Sequence, residues 1–420
     1  MALTKEGYKK RIADDKIEKY LRTFGALSIE GPRWCGKTWT SLNHANSVSY
    51  LSDQSTKTLA EINPDSALSG ESPHAIDEWQ AVPQIWDSVR FAVDQEKTRG
   101  RFILTGSVVK PAKDIFHSGI GRIARVKMRT MSLYESGESS GKVSLNSIMN
   151  GESFAADKSD VSVQDLIYAS CRGGWPEALN EEVENPLLIA DDYLESIVQN
   201  DIPGDNKVIR NSKKFRRFLL SLARNNSTIV KDTTIQNDVQ SSEGEFAAKT
   251  LTSYLEKVRN LYILEEIPGW SPQLRSKVRL MSKEKRLFTD PSLAIAALGA
   301  SPEKLLTDLQ TYGGIFEGMC LRDLLVYSDA NDARVFHYRD NSDLEIDAIV
   351  ENRGGAWGAF EIKLNDKEAG KGAKSLLRLK DKIEKGGGAP PVCLAVITGT
   401  GIAMKREDGV LVIPITMLRE

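Results

Sequence analysis

Cysteine is scarce in this chain, with four residues among 420, and histidine is equally rare. The cysteines lie far apart, and no two of them form a CxxC pair. Disulfide scaffolds and zinc ribbons depend on closely spaced cysteines, so both are excluded. We therefore expect a protein of a reducing cytoplasm.

Long apolar runs are also missing. The stretch LAIAALGA at 293–300 is far shorter than the roughly 18 apolar residues of a membrane span. The first residues, MALTKEGYKKRIADDK, are charged where a signal peptide would be apolar. No membrane contact is expected, and the length predicts two or three globular domains.

The chain as a whole has no large excess of positive or negative charge, but one stretch of it is strongly positive. The chain has 56 Lys/Arg and 58 Asp/Glu, a net charge of −2, whereas residues 205–286 hold 17 Lys/Arg and 9 Asp/Glu, a local +8. A basic stretch in an acidic protein is typical of a nucleic-acid-binding region. It is equally typical of a solvated surface, so charge alone leaves both interpretations open.

The stretch LSIEGPRWCGKTWT at 27–40 holds the pattern G-x-x-x-x-G-K-[ST] between a predicted strand and a predicted helix. Gly31 and Gly36 let backbone N–H groups face phosphate oxygens, and the helix N-terminus adds favourable dipole charge. Lys37 is expected to reach the β- and γ-phosphates, and Thr38 to bind Mg²⁺. The predicted nucleotide contacts are Gly31, Arg33, Gly36, Lys37, Thr38 and Thr105.

Two later segments complete the predicted ATP site. In AIDEWQAVP, Asp77 is expected to hold Mg²⁺ through water and Glu78 to polarise the attacking water. In RFILTGS, Thr105 lies at a strand end where its hydroxyl can sense the γ-phosphate. Arg122, in GIGRIAR, is a candidate arginine finger acting in cis or between subunits. A surface arginine is the alternative.

The middle of the chain predicts helices followed by a hairpin. KKFRRFLLSLARNN (213–226) places apolar residues on one helical face and basic residues on the other. A second amphipathic helix runs into a strand in TLTSYLEKVRNLYILEEIPGW (250–270). This pattern favours a winged helix, which commonly sets a helix in a DNA groove. A winged helix that contacts protein is the alternative. The residues expected to face phosphate are Lys249, Thr250, Thr252, Ser253, Lys257 and Arg259.

The segments quoted above resemble, in their order, the AAA-superfamily ATPases of bacteria and archaea that carry a C-terminal domain of unknown function, DUF4143. The resemblance continues in GGWPEAL (173–179), YLESIVQNDI (193–202) and RLFTDPSLAIAALG (286–299). It implies an ATP-binding core, a winged-helix-like module and a restriction-endonuclease-like end.

The strands of the C-terminal part carry a group of charged residues. Glu361 and Lys363 lie two apart on one predicted strand and therefore share a face, where Asp347 from the neighbouring strand can join them. With Glu317 from an earlier helix they form the D…ExK pattern of the restriction-endonuclease fold. Glu317, Asp347 and Glu361 are then predicted Mg²⁺ ligands, and Lys363 is expected to orient the water or to stabilise the pentavalent charge. An inert binding module of the same fold is the alternative.

The fold class we predict is an α/β P-loop NTPase core, a parallel sheet with helices on both faces, followed by the two C-terminal modules. The predicted borders are an ATP-binding domain at 1–135, a Ser/Gly-rich linker or insertion at 136–164, a helical winged-helix-like domain at 165–300 and a restriction-endonuclease-like domain at 301–420.

The function we predict is an ATPase that couples Mg-ATP hydrolysis to a nucleic-acid-binding, nuclease-like region, with DNA as the expected nucleic acid. The alternative is an ATP-dependent switch or scaffold that binds a protein partner or another copy of itself, its nuclease-like domain being inactive.

Overall fold

A computed structural model of the protein describes residues 3, 6–96, 98–107, 119–179, 185–200, 212–273, 276 and 282–420. The chain divides into two compact units. Unit 1 comprises residues 1–130 and 260–263, and unit 2 comprises residues 131–259 and 264–420.

Unit 1 is built on a parallel sheet of five strands in the order β2-β3-β4-β1-β5. The strands are β1 (Ala26–Glu30), β2 (Ser47–Tyr50), β3 (His74–Asp77), β4 (Phe102–Gly106) and β5 (Ile123–Lys127), and the helices are α1 (Ala13–Leu21), α2 (Lys37–His44), α3 (Gln54–Ile62) and α4 (Ile85–Glu96). Every residue of β3 and β4 is buried, as in a parallel sheet covered on both faces.

The two faces of this sheet pack into separate cores. Leu27 and Ile29 of β1 pack in one cluster with Ile17 of α1, whereas Ala26 of the same strand packs in another with Trp86 of α4. Alternate residues of a strand point to opposite faces, so helices cover both. The predicted P-loop-type core, with strands alternating with helices, is confirmed.

Unit 2 begins with a mainly helical part. Its helices are α5 (Leu133–Ser136), α6 (Leu145–Met149), α7 (Val163–Arg172), α8 (Leu188–Asn200), α9 (Ser212–Arg224), α10 (Asp232–Glu243), α11 (Ala248–Asn260), α12 (Pro291–Leu298) and α13 (Pro302–Thr307). The strands β8 (Leu264–Ile267) and β9 (Lys285–Phe288) form an antiparallel pair after α11. The apolar face predicted for α9 is buried, and the ring of Phe215 lies 4.9 Å from that of Tyr254 in α11.

The rest of unit 2 surrounds a mixed sheet of seven strands in the order β10-β11-β12-β13-β15-β14-β7. The elements are β7 (Asp157–Lys158), α14 (Leu309–Ala330), β10 (Arg334–Arg339), β11 (Glu345–Glu351), β12 (Trp357–Lys363), α15 (Ala369–Lys385), β13 (Cys393–Thr398), β14 (Ile402–Lys405) and β15 (Leu411–Pro414). The elements from α14 to β13 run in the order helix, three strands, helix and strand.

The Ser/Gly-rich segment predicted as a linker or insertion is an integral part of unit 2. Within it, β6 (Val143–Ser144) pairs with β16 (Leu418–Arg419), and β7 pairs with β14. The border between the units follows Thr130 rather than residue 135, and the predicted border at residue 300 lies inside unit 2. Strands of two residues are too short to show a hydrophobic periodicity. Because backbone hydrogen bonds pair them, the sequence does not predict them.

A buried ionic network fixes α14 within unit 2. Arg322 contacts Asp323 at 2.8 Å and Asp290, the N-cap of α12, at 3.3 Å, and all three side chains are buried. Asp290 also accepts a hydrogen bond from Gly174 N–H at 2.9 Å. The segments GGWPEAL and FTDPS are therefore joined through the carboxylate of Asp290.

Even with α14 included, none of the helices in the described ranges has both the length and the apolarity needed to cross a bilayer.

Candidate functional site

The predicted phosphate loop lies between β1 and α2, at the carboxyl edge of the unit 1 sheet. A Cβ on Gly31 would lie 2.1 Å from the carbonyl oxygen of Met128, so only glycine fits there. Gly36 caps α2 with a φ of 99°, a left-handed conformation that favours glycine. Both glycines of the motif are therefore required by the backbone, and the N-terminus of α2 opens directly after the loop.

Lys37 lies folded across this loop. Its side chain is buried, and its Nζ donates a hydrogen bond to the carbonyl oxygen of Pro32 at 2.6 Å. Phosphate oxygens would compete with this neutral carbonyl for the ammonium group, and a bond in which donor and acceptor carry opposite charges is the stronger of the two. Arg33 lies exposed in the same loop.

Asp77 joins two of the predicted hydroxyl groups. Its Oδ1 accepts hydrogen bonds from Thr38 Oγ1 at 2.8 Å and from Thr105 Oγ1 at 2.7 Å. Thr105 Oγ1 also accepts a hydrogen bond from Glu78 N–H at 3.1 Å. The structure thus brings together Thr38 of α2, Asp77 of β3 and Thr105 of β4. A buried carboxylate beside a hydroxyl supplies the hard oxygen ligands that Mg²⁺ prefers, so the residues fit that ion.

Glu78 follows in a strained position. Its φ of 58° is uncommon for a residue with a side chain. The carboxylate accepts hydrogen bonds from Ser107 Oγ at 2.9 Å and from Gln80 Nε2. Gln80 was not predicted as a site residue, although its place two residues after Glu78 makes the contact local.

Arg122 lies away from the phosphate loop. Its carbonyl oxygen accepts a hydrogen bond from the N–H of Ala26, the first residue of β1, whereas the loop follows the last residue of that strand. At about 3.3 Å per residue the two ends of β1 are roughly 13 Å apart. The guanidinium pairs with Asp94 at 2.7 Å. The structure therefore contradicts a finger acting in cis, while a finger acting between subunits stays a prediction.

Arg11 is a supporting residue that sequence reasoning missed. It is buried, and its guanidinium donates hydrogen bonds to Cys35 O at 2.7 Å and Arg129 O at 3.0 Å. The backbone N–H of Arg11 donates to Asp14, which in turn contacts His44 at the end of α2 at 2.9 Å. These contacts fix the loop and its helix from the N-terminal segment, which carries no recognisable motif.

The predicted C-terminal group assembles within unit 2. Lys363 Nζ lies 2.6 Å from Glu361 Oε2 and 3.6 Å from Asp347 Oδ2. Asp347 Oδ2 also accepts a hydrogen bond from the N–H of Ile362 at 2.8 Å. Burial, followed by the charge of Asp347, raises the pKa of Glu361 to about 8 and that of Glu317 to about 7. We call Glu317, Asp347, Glu361 and Lys363, together with Lys285, the acidic cluster.

Lys285 is the member of this cluster that was not predicted. Its Nζ lies 2.7 Å from Glu317 Oε1 and 3.5 Å from Asp347 Oδ1, and its side chain is 1% exposed. Alternation along β9 puts Lys285 on the same face as Leu287, which is buried. This alternation was a signal that Lys285 points inward.

The metal role of Glu317, Asp347 and Glu361 stays a prediction. Within the described ranges, no group of three or more His, Cys, Asp or Glu side chains is placed to hold a metal ion. The carboxylates are turned toward the ammonium groups of Lys285 and Lys363, since unlike charges attract strongly in a buried site.

Several basic residues of the middle region are paired with acids of unit 2. Arg259, predicted to face phosphate, forms two hydrogen bonds with Glu266 at 2.7 and 2.6 Å. Arg286 contacts Asp232 at 2.6 Å, and Arg216 contacts Glu195 at 2.5 Å. Asp232 and Glu266 are already counted in the local charge of +8, whereas Glu195 lies outside residues 205–286, so of these three pairs only that of Arg216 lowers it.

Three family models match the chain. Residues 23–137 match an AAA domain, residues 163–304 the domain of unknown function DUF8612, and residues 312–418 the domain of unknown function DUF4143. The matches at residues 23–137 and 312–418 are to the two kinds of domain that the sequence resemblance implies, an AAA domain and DUF4143.

Two mycobacterial relatives match most of the chain. They are Uncharacterized protein Rv2008c of Mycobacterium tuberculosis and Uncharacterized protein Mb2031c of Mycobacterium bovis. Each is 22% identical over 360 residues, which cover 84% of this chain and 74% of the relative.

Similar solved structures include the Walker-type ATPase PABY2304 of Pyrococcus abyssi, with 13% identity and a TM-score of 0.43. The match covers 70% of this chain and 99% of that one. The RuvB Holliday junction branch migration motor of Thermotoga maritima has 15% identity and a TM-score of 0.28, over 64% of this chain and 94% of its own.

Proposed function

We propose that this chain binds and hydrolyses Mg-ATP at the carboxyl edge of the unit 1 sheet. The observation that carries the proposal is the placement of Thr38 and Thr105 on the carboxylate of Asp77, directly beside a glycine-bounded loop and a helix N-terminus. Helix N-termini and such loops favour bound phosphate. Hydroxyl and carboxylate oxygens beside them suit the metal that accompanies a nucleotide.

Each residue of the site has a role in this proposal. The backbone N–H groups from Gly31 to Thr38 and the Lys37 ammonium hold the phosphates, and Thr38 with Asp77 holds the metal. Mg²⁺ bound with the nucleotide supplies positive charge at the phosphate oxygens. Glu78 orients the attacking water and accepts its proton.

Both oxygens of the Glu78 carboxylate already accept a hydrogen bond, so turning this group toward a water would alter these contacts. Ser107 and Gln80 both donate to its carboxylate, and its left-handed backbone stores strain of order 1–3 kcal/mol. We infer that Glu78 turns toward the water only when nucleotide rearranges these contacts. Thr105, which links Asp77 to the N–H of Glu78, is the residue that would transmit the change.

The test is steady-state ATP hydrolysis and calorimetric ATP binding by the purified full chain. We expect Lys37→Ala to lower turnover at least 100-fold, because the phosphates lose their only lysine contact in the loop. Lys57→Ala is the matched control, since Lys57 lies on α3 in an i,i+4 pair with Glu61. Equal turnover by the Lys37 variant and the wild type would refute the proposal.

We further propose that ATP turnover serves a DNA-binding unit 2. Its three helices α9–α11 followed by the hairpin β8–β9 support a winged-helix-like module, and the acidic cluster on β11 and β12 supports a restriction-endonuclease-like one. The ion pairs of Arg259 and Arg286 favour a second candidate, an ATP-dependent switch that binds a protein partner and carries an inactive nuclease-like domain.

Binding of duplex DNA, single-stranded DNA and RNA distinguishes these two functions. Fluorescence anisotropy at two salt concentrations, with and without ATP, gives the affinity and its salt dependence. DNA binding through phosphate contacts falls steeply as salt rises. Absence of binding to all three probes at both salt concentrations would leave the protein-binding switch.

A further inference from the structure

Lys285 lies in the acidic cluster where a cation ligated by Glu317 and Asp347 would lie. Its Nζ contacts Glu317 at 2.7 Å and Asp347 at 3.5 Å, and it is 3.9 Å from Glu345 at the edge of the cluster. Three carboxylates therefore surround one ammonium group. A lysine is rarely buried without such partners, because an unpaired charge loses its hydration.

Both oxygens of the Asp347 carboxylate already have partners in this arrangement. Its Oδ1 faces Lys285, while its Oδ2 accepts the N–H of Ile362 and faces Lys363 at 3.6 Å. A divalent cation needs oxygens at about 2.0–2.6 Å. It would have to displace the Lys285 ammonium in order to reach Glu317 and Asp347 together.

The lysine reaches the cluster from a different part of unit 2. Lys285 begins β9 of the hairpin, whereas Glu317, Asp347 and Glu361 come from α14, β11 and β12. The next residue, Arg286, holds the hairpin to the helical part through Asp232 of α10 and contacts Glu266 within the hairpin. The position of the hairpin therefore determines whether the ammonium lies among the carboxylates.

We propose that Lys285 is a built-in counter-cation that excludes divalent metal from the acidic cluster, so that the cluster binds Mg²⁺ or Mn²⁺ only when Lys285 is withdrawn or removed. This inference rests on the nuclease-like interpretation of unit 2 and adds to it a residue that keeps the site closed. Metal and lysine compete for the same two carboxylates.

Mn²⁺ titration monitored by electron paramagnetic resonance tests the competition without any activity measurement. All variants carry Asp77→Asn, which removes the metal ligand of unit 1, and the titrations contain no nucleotide. We expect Lys285→Met to gain one Mn²⁺ site at least tenfold tighter than any in the parent chain. Asp347→Asn in that variant should remove the gain.

The matched control is Lys283→Met. Lys283 is exposed and lies two residues away, and its backbone carbonyl, which the substitution keeps, contacts His337, so the substitution removes the same charge from a position outside the cluster. We expect no new Mn²⁺ site in this control. Lys285→Arg, which keeps the positive charge, should also gain none. A folded Lys285→Met chain that binds Mn²⁺ no better than the parent would overturn the proposal.

A second measurement decides the matter even if Lys285→Met does not fold. Mn²⁺ binding to the parent chain, with Lys285 in place, should be unchanged by Asp347→Asn. A parent site that is lost on Asp347→Asn would show that lysine and metal coexist, and the inference would be wrong. Neither result depends on ATP hydrolysis. Failure of the ATPase proposal would instead be detected with the Lys37→Ala variant, independently of these Mn²⁺ titrations.

Discussion

Asp77 of unit 1 and Asp347 of unit 2 are both aspartates on sheet strands that carry candidate chemistry, but their neighbours differ. Asp77 accepts hydrogen bonds from two neutral hydroxyls, whereas Asp347 lies between two lysine ammonium groups. A carboxylate held by hydroxyls keeps its full negative charge for a metal. One placed between ammonium groups has that charge already compensated. The same residue type therefore lies among hydroxyls in one unit and among ammonium groups in the other.

The sharpest way to test this comparison is to neutralise each aspartate in turn. Asp77→Asn should lower ATP turnover by roughly 10²–10³-fold, because the metal that stabilises the transition state loses its charged ligand. Asp347→Asn should leave turnover within a factor of two. Both are measured as ATP hydrolysis at saturating Mg-ATP. Equal losses in the two variants would show that the acidic cluster, too, takes part in hydrolysis.

Asp290 offers a third environment, an aspartate whose role is structural. It is fully buried and accepts from Gly174, Ser292 and Arg322. Asp290→Ala leaves Arg322 with less compensation in the interior and should destabilise unit 2 by about 3–5 kcal/mol. Urea unfolding measures the loss. Asp308→Ala, at the exposed N-cap of α14, is the control and should cost far less; comparable losses would contradict the structural role.

The acidic cluster should also make stability depend on pH. The pKa of Glu361 rises from its ordinary 4.5 to about 8 in the folded protein, chiefly through burial and then through Asp347, and Glu317 shifts in the same direction. Between these values the folded chain holds a proton that the unfolded chain releases. Stability therefore falls as pH rises from about 4.5 to 8, and the dependence ends above that range.

Urea midpoints from pH 5 to 9 in EDTA, for the wild type and Glu361→Gln, measure this dependence. Glutamine cannot ionise, so the variant should show a flatter profile. Lys285 and Lys363 stay charged throughout this range and are common to both proteins. Two parallel profiles would mean that Glu361 ionises normally despite its burial and the neighbouring Asp347.

The sequence was sufficient to predict features that are contiguous along the chain. The phosphate loop, the strand that ends in Asp77 and the face shared by Glu361 and Lys363 each lie within a few residues, so spacing alone places them. Lys285, Arg11 and Asp290 were missed because each acts on residues far away in the chain, and no local pattern specifies such partners. Lys285, which we propose keeps the acidic cluster closed to metal, is one such residue, and the spacing of the carboxylates along the chain gives no sign of it.

Arg122 provides the smallest expected effect. It lies at the far end of β1 from the phosphate loop and forms an exposed ion pair with Asp94, and such pairs contribute about 0–1 kcal/mol. In dilute protein, Arg122→Ala should leave ATP turnover within about threefold of the wild type. An arginine finger from a second copy would act only when two copies of the chain associate. If Arg122 acts in this way, the wild-type rate per chain should rise with protein concentration. Arg122→Ala should then lower turnover only at the concentrations where that rise occurs. A large loss in dilute, monomeric protein would contradict the position of Arg122 and would require this edge of the sheet to take part in hydrolysis within one chain.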